Sequence, residues 1–220
     1  SVRDELNYIR GVLAATLAPA GSAQPCAGVG EHFERHAVIV PLVEGPEGAE
    51  VLLQVRAGHL RRSPGEVGLP GGRVEGGETP WQAALRETEE ELGVPAQEVE
   101  LLGCLPAQER RRGELVLPFI CRLSDPARPA AASDEVAELF RVPLQVLRRQ
   151  GFRSAQIVEE HTLSADFPRH LLPGGDWSRK ESRPVYYLQH GERLIWGLTA
   201  AILRDLLRLS AQGAGQGAGL

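Results

Sequence analysis

Three glutamates, Glu87, Glu90 and Glu91, stand at i, i+3 and i+4, with Arg86 directly before them. On a helix that spacing gathers their carboxylates along one flank. Like charges so placed repel, and a helix gains nothing from them unless a cation sits among them. Hard divalent ions take oxygen ligands, and Mg²⁺ works through a few carboxylates together with substrate phosphates. The chemistry on offer is metal-assisted attack at phosphorus. The bland alternative is a solvated acidic helix face. Two features argue against it: a glycine loop feeds straight into the segment, and Arg86 lies beside the acids as an orienting partner.

The elements that must position these groups are written locally. Gly71, Gly72, Gly76 and Gly77 free the backbone to turn and to approach a ligand closely. Thr79 is a good N-cap, Pro80 suits the first helical position, and Gln82 completes a capping box. Gly93 falls where a helix closes on a left-handed residue. The spacing predicts a helix from Pro80 to Leu92, with Trp81, Ala84, Leu85, Thr88 and Leu92 as its buried stripe.

This stretch resembles the Nudix box, G-x5-E-x7-R-E-U-x-E-E-x-G-U, where U is apolar. Gly72, Glu78, Arg86, Glu87, Glu90, Glu91, Gly93 and Val94 fall into register, and Thr88 fills the first apolar slot. The resemblance implies that Glu87, Glu90 and Glu91 bind divalent cations, Mg²⁺ or Mn²⁺. It implies that Arg86 holds one glutamate in place and that Glu78 supports the site. The reaction implied is hydrolysis of a nucleoside diphosphate linked to another group.

The run 52–72 narrows the substrate. It is similar to the signature of the coenzyme A pyrophosphatase branch, LL-T-x-R-S-x3-R-x3-G-x3-F-P-G-G. Leu52, Leu53, Arg56, Arg61, Gly65, Pro70, Gly71 and Gly72 match, while Gln54, Ala57 and Leu69 replace Thr, Ser and Phe. Coenzyme A carries a pyrophosphate and a separate 3′-phosphate, so cationic groups beyond the metal are useful. Arg56, Arg61 and Arg62 are placed to meet such anions through their planar forks, or else pair with surface acids. The resemblance implies cleavage to 3′,5′-ADP and 4′-phosphopantetheine, with acyl-CoA esters included. Glu90 is the first candidate to take the proton of the attacking water, and Glu135 the second. The rivals are the same chemistry on ADP-ribose, NADH or a dinucleoside polyphosphate, and a non-catalytic ligand-binding module. Loss of a box acid would mark the module, and none is lost.

The bulk numbers fit this reading. A 220-residue chain holds one well-buried domain with extensions. A net charge of -5 argues against a protein that binds nucleic acid by neutralising phosphates. No apolar run approaches the roughly 20 residues of a membrane span. Cys26, Cys104 and Cys121 lack metal spacing, and Cys104 and Cys121 are read as buried reduced thiols in a cytoplasmic protein acting on a small molecule.

Along the chain, Leu6, Ile9, Leu13 and Leu17 mark a helix from Asp4 to Leu17, packing on the domain or on a second copy in a homodimer. Residues 19–31 read as a linker. Strands are expected at His36–Val43 (Pro41 marking an edge or a bulge), Val51–Val55, Val99–Leu105, Leu115–Leu123, Val136–Val142 and Val185–Leu188. A charged turn is expected at 109–114, and helices at Leu144–Arg149 and Trp196–Leu209. Residues 151–184 show no period. The division is 1–35 for N-terminal helix and linker, 36–209 for the hydrolase domain and 210–220 for a disordered Gly/Ala tail. The expected architecture is α+β, an α/β/α sandwich with a mixed sheet between helices, as in the Nudix fold.

Overall fold

The computed structural model describes residues 2–14, 34–111, 113–125, 129–174 and 177–216. The expected linker 19–31, Leu17 and Cys26 lie outside them.

A mixed sheet forms the middle layer. Strands β1 (Glu34–Gly45) and β2 (Gly48–Arg56) make an antiparallel hairpin. Beyond them in sequence come β3 (Val67–Gly68), β4 (Gly71–Arg73), β5 (Val99–Cys104), β6 (Gln108–Arg111), β7 (Glu114–Leu123) and β8 (Val136–Pro143). Their order runs β3-β2-β1-β7-β5, with β4 on β1, β6 on β7 and β8 on β2. Among the described residues only β1 and β7 run parallel, over nine residue pairs from Glu34 and Glu114 to Leu42 and Arg122. Strand β1 is buried on both faces, which is why its sequence is a continuous apolar run rather than an alternation.

Pro41 does not mark an edge, because β1 is central. It falls between Val38, which pairs with Gly71 of β4, and Leu42, which pairs with Val51 of β2. A missing N–H there breaks neither ladder. The expected turn at 109–114 is also corrected: Gln108–Arg111 is a strand whose Gln108 and Glu109 pair with Val116 and Leu115.

Helices cover both faces. On one side lies α2 (Pro80–Leu92), whose Ala83, Ala84 and Leu92 are fully buried against Ile39 and Phe119. Trp81 is only half-buried, meeting Phe119 ring to ring at 5.2 Å. On the other side lie α1 (Val2–Leu13), α3 (Leu144–Gln150) and α4 (Gly197–Gln216). Helix α1 packs Leu6, Ile9 and Leu13 into that layer, and Glu5 accepts a hydrogen bond from the Ala49 N–H at 2.9 Å. Helix α4 runs through seven residues assigned above to the tail, continuing across Gly213 and Gly215 against their low helix propensity; 217–220 lie outside the described residues. Among the described residues no helix is long and apolar enough to cross a membrane.

Residues 151–184, which carry no period, form most of a ribbon. Strands β9 (Arg153–Thr162) and β10 (Ser178–His190) pair over ten residues, from Tyr187 and Arg153 outwards to Ser178 and Thr162. Nearly every side chain of β9 is exposed. A short β11 (Arg193–Trp196) closes this second sheet, so the expected strand Val185–Leu188 is the inner part of a longer one.

Cys121 is a buried free thiol, and burial pushes its pKa up. Cys104 is disulfide-bonded, which corrects the reduced thiol expected for it. Burial misled the reading, because a paired sulfur packs as well as a thiol. The cysteine argument for a reducing compartment falls with it.

Candidate active site

The site begins at the two glycines of β4. Gly71 has φ +145° and lies so close to β1 that a Cβ would overlap the Ala37 carbonyl oxygen and sit 2.6 Å from Val38 Cα. Only glycine fits there. The close approach aims the Gly71 N–H at Glu91 Oε2, 2.9 Å away. A Cβ on Gly72 would overlap the carboxylate of Glu87, so its absence makes the space in which that group lies.

Helix α2 starts and stops as its sequence dictates. Thr79 Oγ1 accepts from the Gln82 N–H at 3.2 Å, the Gln82 side chain accepts from the Thr79 N–H at 2.8 Å, and Gly93 closes the helix at φ +66°. Thr88, the departure at an apolar slot, is fully buried and donates to the Ala84 carbonyl at 2.7 Å. Its hydroxyl is satisfied within the helix, so it serves as an apolar residue there.

Arg86 is the hub. It donates to Glu78 Oε1 at 3.0 Å and Oε2 at 3.3 Å, to Glu87 Oε1 at 2.8 Å, to Glu90 Oε2 at 3.4 Å and to the Arg73 carbonyl at 3.2 Å. Its bond to Glu78 holds that carboxyl below the usual glutamate range, with the Glu75 N–H helping. The planar fork lets one side chain tie the loop to the helix, which a lysine cannot do.

Glu91 is turned the other way. It is 4% exposed, and its Oε2 takes N–H bonds from Gly71 and from Gln54 Nε2, the latter at 3.2 Å. Burial pushes its pKa up to about 7; the Glu87 charge adds to this, while the two N–H bonds and Arg56 oppose it. Burial likewise raises Glu87, with Glu90 and Glu135 adding and Arg86 opposing. The two shifts record negative charge held where solvent screens it poorly.

Glu87, Glu90 and Glu91 are therefore neighbours that do not converge on one point. Glu87 and Glu90 lean on Arg86, and Glu91 faces inwards to Gly71. Among the described residues, no group of three or more His, Cys, Asp or Glu side chains is arranged to hold a metal ion. The donor types and the cradle at Gly72 still suit a hard divalent cation, which would compensate the negative charge that burial disfavours on Glu87 and Glu91.

Of the other expected residues, Arg56 is brought in: its charge acts on Glu91, and its Nε donates to the Arg62 carbonyl at 3.3 Å. Arg61 is exposed on the loop between β2 and β3. Glu135 is exposed yet near enough to act on Glu87. His59 sits 4.0 Å from Asp134, both exposed. Sequence reasoning missed Gln54 as a site residue. The signal was present: in a strand, residues 52, 54 and 56 share one face.

A prediction follows from Glu91. Its folded pKa lies above the ordinary 4.5, so its contribution to stability is complete below about pH 4.5. That contribution is lost as pH rises through about 7, a loss of up to about 3 kcal/mol. In a chelator, Tm is expected to fall across this window in the wild type and clearly less in Glu91→Gln. Parallel Tm profiles for the two proteins would refute the assignment.

Comparison with known proteins agrees with this geometry. The sequence model of the NUDIX domain matches residues 33–161. Nudix hydrolase 3 of Caenorhabditis elegans is 35% identical over 180 residues, covering 78% of this chain and 71% of that protein. The uncharacterized Nudix hydrolase NudL of Escherichia coli is 32% identical over 171 residues, covering 77% and 79%. Among solved structures, a Nudix hydrolase of M. smegmatis, RenU, is 27% identical with a TM-score of 0.46, covering 53% of this chain and 74% of that one. Nudix hydrolases generally use divalent metal ions and act on small-molecule substrates. A box complete in every acid, on a loop and helix of the right form, thus meets relatives matched over most of their length, and the chain belongs to the Nudix family as a Nudix-type pyrophosphohydrolase.

Proposed function

We propose that the chain hydrolyses the pyrophosphate bond of coenzyme A, and of acyl-CoA esters, to 3′,5′-ADP and the corresponding 4′-phosphopantetheine. The observation that carries this reading is Arg56. The run it belongs to resembles the coenzyme A pyrophosphatase signature, and the fold sets its cation within range of Glu91, beside the box.

Roles are assigned accordingly. Glu87, Glu90 and Glu91 hold Mg²⁺ or Mn²⁺, which when bound neutralises charge on the phosphoryl oxygens and makes water more acidic. To hold the cation, Glu87 and Glu90 would give up N–H donors of Arg86. The two bonds from Arg86 to Glu78 involve neither ligand and would still tie loop to helix. Glu90, the most solvent-exposed of the trio, takes the proton of the attacking water. Arg56 and Arg61 receive substrate phosphates, and the backbone at Gly71 and Gly72 lets them approach. The activity belongs to the domain 36–209.

A second reading has a specific observation behind it. Gln54, Ala57 and Leu69 depart from the signature, and all three are buried beside the site loop, so they can reshape what the loop accepts. The same chemistry on ADP-ribose, NADH or a dinucleoside polyphosphate is that reading.

The test is a panel of these compounds and coenzyme A, compared by kcat/KM with Mg²⁺ or Mn²⁺. Coenzyme A is expected to lead, and EDTA to abolish turnover until metal is returned. A ranking with coenzyme A far behind rejects the substrate, and undiminished activity in EDTA rejects the metal site.

A further inference from the structure

Along one face of β2, the side chains of Leu52, Gln54 and Arg56 succeed one another. Leu52 packs in the apolar layer beneath α2, and Arg56 acts on Glu91. Gln54 lies between them and is 1% exposed. A buried amide is costly to desolvate unless both its ends are hydrogen-bonded. Here only one end is. Nε2 donates to Glu91 Oε2 at 3.2 Å, while Oε1 is buried with no partner among the described residues. An apolar side chain of the same length would fill the space without that cost, so packing does not explain this residue.

What Gln54 does is grip Glu91. Its N–H and that of Gly71 both fall on Oε2, from two different strands. Two donors on one oxygen fix the plane of the carboxylate and leave Oε1 as the oxygen neither of them holds. We propose that Gln54 is a positioning residue, which locks Glu91 through Oε2 so that Oε1 is presented to the divalent cation. The inference rests on the reading of this site as a cation site. Partners that orient a metal ligand from behind typically change metal affinity by about 10–100-fold when removed.

The test uses the full chain and Mn²⁺ alone, with free Mn²⁺ followed by electron paramagnetic resonance. Gln54→Met keeps the side-chain length and removes both the donor and the unpartnered acceptor. Its Kd for Mn²⁺ is expected to rise about tenfold or more, while Tm in a chelator stays level or rises. At saturating Mn²⁺, kcat is expected to recover largely, with KM for the substrate unchanged. A Gln54→Met protein that binds Mn²⁺ within about twofold of the wild type overturns the inference while leaving the site reading intact. If it also melts lower, Gln54 serves the fold alone. A wild type that binds no Mn²⁺ removes the site reading and this inference together. Should Gln54→Met not fold, Gln54→Leu carries the same comparison.

Discussion

Glu90→Gln is expected to lower kcat by roughly two orders of magnitude or more and to leave Tm almost unchanged. The two halves of that expectation come from one observation. The Glu90 side chain is 57% exposed, and among the described residues its single bonding partner is Arg86, at 3.4 Å. An exposed pair of that kind contributes about 0–1 kcal/mol, so the fold loses little when the charge goes. Its expected loss is functional: a cation ligand and the acceptor for the proton of the attacking water. Neither duty survives amidation. Glu89, the exposed acid next to it on the outer side of α2, is the control, and Glu89→Gln should keep full activity. Stopped assays with equal folded protein by circular dichroism make the comparison. Wild-type turnover in Glu90→Gln would rule out its assigned role.

Gly71→Ala is expected to act on the fold first. The new methyl group must push into the Ala37 carbonyl and the Val38 backbone, and the residue must keep φ at +145°. Neither neighbour is the end of a flexible side chain. Strain and overpacking together cost about 3 kcal/mol or more. For a domain of this size that is a Tm loss of roughly 6–12 °C. Activity should fall further than stability does, because the N–H that fixes Glu91 moves with the backbone. Gly76→Ala is the matched control: a Cβ there meets nothing within 4 Å, so its effect should stay within about 0.5 kcal/mol. Equal melting of the two variants would show that the close approach at Gly71 is not what the geometry states.

How much of this was legible in the sequence depended on the range over which each signal acts. The helix Pro80–Leu92 was read to the residue, because Thr79, Pro80, Gln82 and Gly93 each act within a turn of themselves. Its buried face was read less well. Ala84, Thr88 and Leu92 are buried as expected, but Trp81 and Leu85 pack against the core only half-buried, and Ala83 and Glu91 are buried as well. The acids at 87 and 90 were placed by spacing alone, but spacing cannot say which way a carboxylate turns. Glu91 turns inwards because Gly71 arrives from β4 and Gln54 from β2, contacts 20 and 37 residues away. Gln54 escaped notice for the same reason: only the fold brings it to Glu91, 37 residues further on. Of the ribbon, only Val185–Leu188 was legible; β9 and the outer part of β10 are wet on both faces and have no apolar alternation to find.

That ribbon divides the molecule's energetics in two. Its outer pairs, from Ser178 and Thr162 inwards, are exposed, and the two apolar layers are built without them. They can unzip and close again at little cost, while the sandwich holds its place. Deuterium should enter those amides long before it reaches the paired backbone of β1 and β7. Lengthening or trimming the arm would then retune whatever it brushes against, and leave the hydrolytic machinery's own footing where it stands.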